Sequence, residues 1–401
     1  MKVSVCIVNK DPNKPLEKTF DSLKDNMDYI DDIVISTKAP KSYGARSLHI
    51  NSQNEALHRN ACLKAAKNPY ILWLSSDSEL EEDTLEEFLD ILEDYPDTDI
   101  IYPNEVYIDN GEEEVKNYTD WHGAQNSLLQ SLSIEKHLPK WGVLTKKESL
   151  VKAGGFEELY GPQTFYGYIY KNLKNISLKL SDLSFVNNYE NENFIDTSYH
   201  SKLLRDVFGL YPIKELFGSL EWENEPVATA TALTLTADRL FEYFDFFNAS
   251  NFYRQALLTF HNQESLRKLI ETYIRMGLFD EAKKMAHTQS MEKIEEKEII
   301  DRIETTQKLV EKIESSVKEG RLSEILGAAQ EIFDYYNGAP LYNIFGVIEY
   351  ILKNYPQAYR YFYKAVTMNP VDNDIISNLA DMAKRLDKEE EVLSLINRIT
   401  R

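Results

Sequence analysis

Cysteine is nearly missing from this chain: Cys6 and Cys62 are the only two among 401 residues, each inside an apolar stretch. Two thiols cannot build a disulfide scaffold or a cysteine-based zinc site, so buried reduced side chains in a reducing cytosol are expected. Also missing is any apolar run approaching the roughly 18–20 residues that span a bilayer. The opening MKVSVCIVNKD is too short in its apolar run for a signal-peptide core and suits a buried first strand instead. No Lys/Arg run relieves the acidity. With 45 basic against 66 acidic residues the formal charge is −21, which disfavours phosphate backbones and anionic lipid. These absences predict a soluble cytoplasmic protein with no nucleic-acid partner and no integral membrane segment. What is present is ample core material: 43% apolar residues with 25 Tyr and 18 Phe exclude wholesale disorder. The length favours two or three domains.

The runs VSVCIV (3–8), IVIS (33–36) and YILWL (70–74) are short, apolar and rich in Val and Ile. Amphipathic segments at 16–27 and 53–67 separate them, and this alternation predicts a parallel sheet covered by helices on both faces. A further acidic helix is expected over 80–94, then a strand ending at an Asn110-Gly111 turn. Beyond about residue 200 the strand signals fade and helix follows helix. There PLYNIFGVIEYILKNYPQAYRYFYKAVTMNPVDND places Gly346, Ala358, Phe362, Ala365 and Pro370 at offsets of 12, 4, 3 and 5. Those are the small, small, aromatic, small and proline positions of the 34-residue tetratricopeptide repeat, whose small residues let antiparallel helices approach closely. Tyr273, Gly277 and Ala282 fit the turn of an upstream unit, and Leu379-Ala380, Val392 and Ile396 fit a following one. The segment 291–325 suits an irregular repeat or a connecting helix. The expected organisation is an α/β domain over 1–200, a helical connector over 201–250 and an all-α repeat region over 251–401.

Doubly wound sheets bind ligands at the carboxyl ends of their strands. Here those ends are Asn9-Lys10-Asp11, Ser36-Thr37-Lys38 and Ser75-Ser76-Asp77-Ser78-Glu79. Carboxylates one residue apart at a strand end suit a divalent cation that bridges phosphate oxygens, since Mg²⁺ and Mn²⁺ take hard oxygen ligands. The same residues would equally cap a helix beginning near Leu80.

The block RNACLKAAKNPYILWLSSDSELEEDTLEEFL, with Arg59, Asn60, Ala66, Tyr70, Leu74 and Asp77 in register, resembles the centre of the GT-A-fold nucleotide-sugar glycosyltransferases of family two. The start VSVCIVNKDPNKPLEKTFDSL resembles that family's first strand and helix. WGVLTKKESLVKAGGFEEL resembles its Gly-Gly-Phe-acid-Glu block, here Gly154 to Glu158. The resemblance covers about the first 200 residues. It implies a GT-A, Rossmann-like fold, a nucleoside-diphosphate-sugar donor, and Mn²⁺ or Mg²⁺ on a D-x-D motif. It also implies a general base in an E-D pair after the Gly-Gly-Phe block, deprotonating the acceptor while the metal neutralises the departing diphosphate. Asn9, Ser36, Arg59, Asn60, Ser75 and Asp77 are the expected donor-binding residues, with Asp77, Glu79 and a late His200 as metal ligands. Arg59 could present its fork to the diphosphate, or be a solvated helix residue beside Glu55.

Three departures stand out. The second strand ends on Ser36-Thr37, where the family offers Asp to the nucleobase. Ser75 replaces the first acid of D-x-D. Gln163-Thr164 replaces the E-D pair, which leaves Glu157, Glu158, Asp120 and His122 as candidate bases. The aromatic stretch Tyr160, Phe165, Tyr166, Tyr168 and Tyr170 could stack on a sugar, or form a half-buried strand or packing face. Two functions remain open at this point. One is a glycosyltransferase whose repeats recognise a glycan, peptide or protein acceptor or mediate oligomerisation; the other is a catalytically degenerate scaffold or partner subunit.

Overall fold

In the computed structural model, which describes residues 1–39, 43–109, 112–189, 196–287 and 291–401, the apolar runs form the expected strands. β1 (Val3–Asn9), β2 (Ile30–Thr37), β3 (Arg46–His49) and β4 (Tyr70–Ser75) lie parallel, with β1 paired to both β2 and β4. Every residue of β1 and β4 is buried, which is why those strands read as continuous apolar runs rather than alternating ones.

The later strands extend the sheet beyond this parallel part. They are β5 (Ser78–Leu80), β6 (Ile100–Asp109), β7 (Glu112–Lys116), β8 (Val143–Lys146) and β9 (Leu178–Asn188). Among the described residues the nine strands run β3-β2-β1-β4-β8-β6-β9-β5, with β7 on β6. β8 inserts antiparallel between β4 and β6, so the sheet is mixed. Gly142 permits that insertion, because its φ is 74° and a Cβ there would lie 2.7 Å from Val186 Cβ.

Two expectations change. The helix starts at Thr84 rather than Leu80 and runs to Asp94, because Ser78–Leu80 finds ladder partners on β9 in register Ser78 to Asn188. The Tyr-rich stretch is a helix, Thr164–Asn172, not a strand. Tyr160, Phe165, Tyr166, Tyr168 and Tyr170 are all buried and build core. The Asn110-Gly111 turn lies outside the described residues. Cys6 on β1 and Cys62 on the Glu55–Ala65 helix are buried free thiols in contact.

Two compact units result: Met1–Tyr199 with Leu203–Gly218, and His200–Lys202 with Ser219–Arg401. The second is helical. Its Ala339–Ile351 and Tyr355–Met368 helices pack at Gly346, where a Cβ would lie 2.5 Å from Phe362 Cε1. Gln263–Met276 turns into Phe279–Ala286 through Gly277, at φ 81° and close against Pro340. Residues 293–318 form one 26-residue helix. Among the described residues no helix is long and apolar enough to cross a membrane.

Candidate functional site

The polar turn after β4 is locked by its serines. Ser75 Oγ lies 2.8 Å from Ser78 Oγ and accepts from Asp77 N at 3.1 Å. Ser78 Oγ donates to Asn188 Oδ1 at 2.7 Å, and Asn188 Nδ2 donates to Glu105 at 2.7 Å. Tyr189 N donates to the Asp77 carbonyl. The turn is thereby tied to β9, and Ser76 N ties it to β1 by donating to the Val8 carbonyl at 3.1 Å; the Asp77 side chain is partly buried. Its carboxylate meets Lys14 Nζ at 2.5 Å, and Glu79 meets Lys18 Nζ at 3.7 Å.

Beside this turn, at the start of the Glu55–Ala65 helix, Glu55 has no solvent exposure and faces three cations. Arg59 Nε is at 2.9 Å, Lys10 Nζ at 3.5 Å and Lys140 Nζ at 3.6 Å. Burial alone would raise the Glu55 pKa, but Lys140, Arg59 and Lys10 outweigh it and hold the group at about 2. Arg59 is itself fully buried. Its guanidinium lies 4.1 Å from the Trp141 ring centre, 5.1 Å from Trp73, 5.3 Å from Phe165 and 5.5 Å from Phe156. Arg59 is therefore not a solvated helix residue: it lies against Glu55, the Lys140 carbonyl and four aromatic faces, and its Nη1 has no partner among the described residues.

Asn60 is also turned to structure. Its Oδ1 accepts from Phe156 N and its Nδ2 donates to Phe156 O, both at 2.8 Å. This explains the paired motifs. Gly155 has φ 86°, and a Cβ there would come 2.5 Å from Asn60 Oδ1, so the Gly-Gly turn and the Arg-Asn helix fit only as a pair. Asn54, the cap of the same helix, donates to the Glu158 carbonyl at 2.9 Å. Glu158 is thus held at that helix terminus with its side chain exposed, whereas the neighbouring Glu157 pairs with Lys171 at 2.5 Å.

The other expected residues divide. Asn9, at the end of β1, is fully buried and neither amide atom has a partner among the described residues. Ser36 is buried and bonds His58 Nδ1 at 2.7 Å, so its hydroxyl is used internally; burial in turn lowers the His58 pKa. Asp120 accepts from Leu180 N and pairs with Lys179 at 2.6 Å, and His122 stacks edge-on against Tyr95. Leu180 is eight positions along β9 from Asn188, the residue beside the Asp77 turn. β9 bulges between Ser181 and Phe185, so the paired strand β6 covers the same stretch in the five steps from Tyr102 to Tyr107, roughly 16 Å at about 3.3 Å per residue. Asp120 and His122 therefore sit at the opposite end of the strand from Asp77. Gln163 is largely buried, with Oε1 unpartnered. His200 belongs to the second unit and stacks on Tyr243 at 5.3 Å.

A D-x-D metal site does not fit this set. Ser75 points inward, Asp77 and Glu79 each carry a lysine, and among the described residues no three His, Cys, Asp or Glu gather. The residues missed in sequence are Glu55 and Lys10, Lys14, Lys18 and Lys140. A signal existed in the four-residue spacing of the three lysines after β1 and in the Glu55–Arg59 pair at i, i+4.

Residues 3–143 match the family model described as glycosyl transferase family 2. No curated protein matches the chain. Among solved structures it is similar to S. aureus TarS 1-349 in complex with UDP-GlcNAc, at 14% identity and TM-score 0.43, covering 80% of this chain and 92% of that one. The same fragment in complex with UDP gives 14% and 0.44 over the same shares. S. aureus TarS gives 13% and 0.42 over 68% of this chain; the match spans only 54% of that protein's length.

Proposed function

From a chain whose residues 3–143 match glycosyl transferase family 2, we propose that this protein transfers a sugar from a nucleoside diphosphate sugar to a hydroxyl group of a glycan, peptide or protein. The family match over those residues carries the reading. The polar strand ends of β1 and β4 support it, because they place Asn9, Asp77 and the Glu55 cluster side by side. In the reaction the acceptor oxygen attacks the anomeric carbon, and the bond from that carbon to the diphosphate oxygen breaks with its electron pair. The acceptor proton passes to a base. Of the four candidate bases, Glu158 suits the role best: Glu157 is paired with Lys171, and Asp120 and His122 belong to the far end of β9. Asn54 holds its backbone on the helix that carries Glu55. Asp77, with Ser75 and Ser78 fixing its turn, orients the donor. Asn60 acts on the Gly-Gly-Phe turn and not on the donor.

The helix pair around Gly346 and Phe362 supports a tetratricopeptide-like assignment for the second unit, and we assign acceptor or partner recognition to it. A panel of nucleoside diphosphates and their sugars, titrated calorimetrically into the whole protein, tests the function. Heat with one nucleotide and turnover of its sugar, with Glu158→Gln at least about a hundredfold slower, are expected. Silence from every donor sinks the reading. Binding without turnover would leave the non-catalytic scaffold, which Gln163 at the family's base position favours.

A further inference from the structure

We propose that lysines delivered by the segment after β1, with Lys140, supply the positive charge that neutralises the donor diphosphate, in place of a divalent ion; this rests on the glycosyl-transfer reading above. Lys10, Lys14 and Lys18 follow one another at intervals of four residues, and each reaches a different acid along the strand ends. Lys10 meets Glu55 at 3.5 Å, Lys14 meets Asp77 at 2.5 Å, and Lys18 meets Glu79 at 3.7 Å. Lys140 joins Lys10 on the same Glu55 oxygen at 3.6 Å, and Arg59 takes the other. This row contains five cationic side chains against three carboxylates, an excess of two positive charges in a chain of net charge −21.

A divalent ion would bring that same excess. The carboxylate that would hold it is already in contact with an ammonium, and the companion position is a serine whose hydroxyl is turned inward. Seating an ion on Asp77 would press it against Lys14, at a Coulomb cost that grows as water is excluded. The pairing with acids has its own use. It holds flexible lysines in place before the donor arrives, so little reorganisation is needed when charge builds on the leaving diphosphate. The buried, unpartnered amide of Asn9 lies immediately before Lys10 at the same strand end, and it offers both a donor and an acceptor to a ligand there.

The test is calorimetric binding of UDP, GDP, ADP, CDP and TDP to the full chain, once with EDTA and once with excess Mn²⁺. For the nucleotide that binds, equal affinity in the two conditions is expected. Lys14→Met and Lys10→Met should each weaken binding in EDTA by about tenfold, the value of one lost charge-assisted contact. Lys14→Arg should retain it, and the melting temperature should report that all three variants are folded. Lys14→Met should also make binding respond to Mn²⁺, since it releases Asp77. The proposal is overturned if the nucleotide binds only with Mn²⁺ and Lys14→Met and Lys10→Met change nothing. If no nucleotide binds in either condition, the glycosyl-transfer reading has failed and this inference fails with it.

Discussion

A carboxylate sealed from water and surrounded by three cations makes Glu55 the most consequential single side chain of the first unit. Its pKa falls from the ordinary 4.5 to about 2. The stability it contributes is therefore complete above pH 4.5 and is lost as pH falls from there toward 2. A melting-temperature series across that window should show a steep acid limb, and Glu55→Gln should flatten it. At neutral pH the same variant leaves Arg59 buried among aromatic rings without its counter-charge, so a loss of about 3–5 kcal/mol is expected in denaturant titration. Asn60→Ala should cost about 1–3 kcal/mol, because the Phe156 N–H and carbonyl lose their shared partner. Arg59 and Asn60 were visible in the sequence as a motif, but their roles were not. Motif spacing does not report whether a guanidinium faces a ligand or four aromatic rings, and the aromatic residues concerned come from positions 73, 141, 156 and 165.

Among elements, β5 and the Gly346 helix pair show where local pattern suffices and where it fails. Residues 78–80 carry acid-rich helix-start chemistry, yet they form a strand because β9, over a hundred residues later, offers a ladder. Periodicity cannot see a partner that distant. The Tyr-rich helix has the same origin: alternating tyrosines fit a strand until both sides are enclosed. The close approach of Gly346 and Phe362, in contrast, was legible, since both residues lie within a single helical hairpin. Gly346→Leu should drive its side chain into Phe362 and cost at least about 2 kcal/mol, read by thermal melting of the whole protein. Gly346→Ala sets a helix-propensity gain of about 1 kcal/mol against the same contact.

For the molecule as a whole, the fading of strand signals was plain in composition, while the structure carries the first unit on to Gly218 and starts the bulk of the second at Ser219. The position of β8 between β4 and β6 was not plain, because a four-residue strand says nothing of its neighbours. The net charge of −21 opposes binding to polyanions even with a cationic row at the strand ends. No retention on a heparin column at physiological salt is expected. The two buried thiols give the experimenter a convenience of another kind. Cys6 and Cys62 lie inside the first unit, and burial above all pushes the Cys6 thiol well above its ordinary value. A thiol reagent should therefore find almost no thiolate in the native protein and two equivalents after denaturant is added. A single cysteine placed on the surface could then carry a dye or spin label without removing either native one, and both units could be followed in the otherwise unaltered protein.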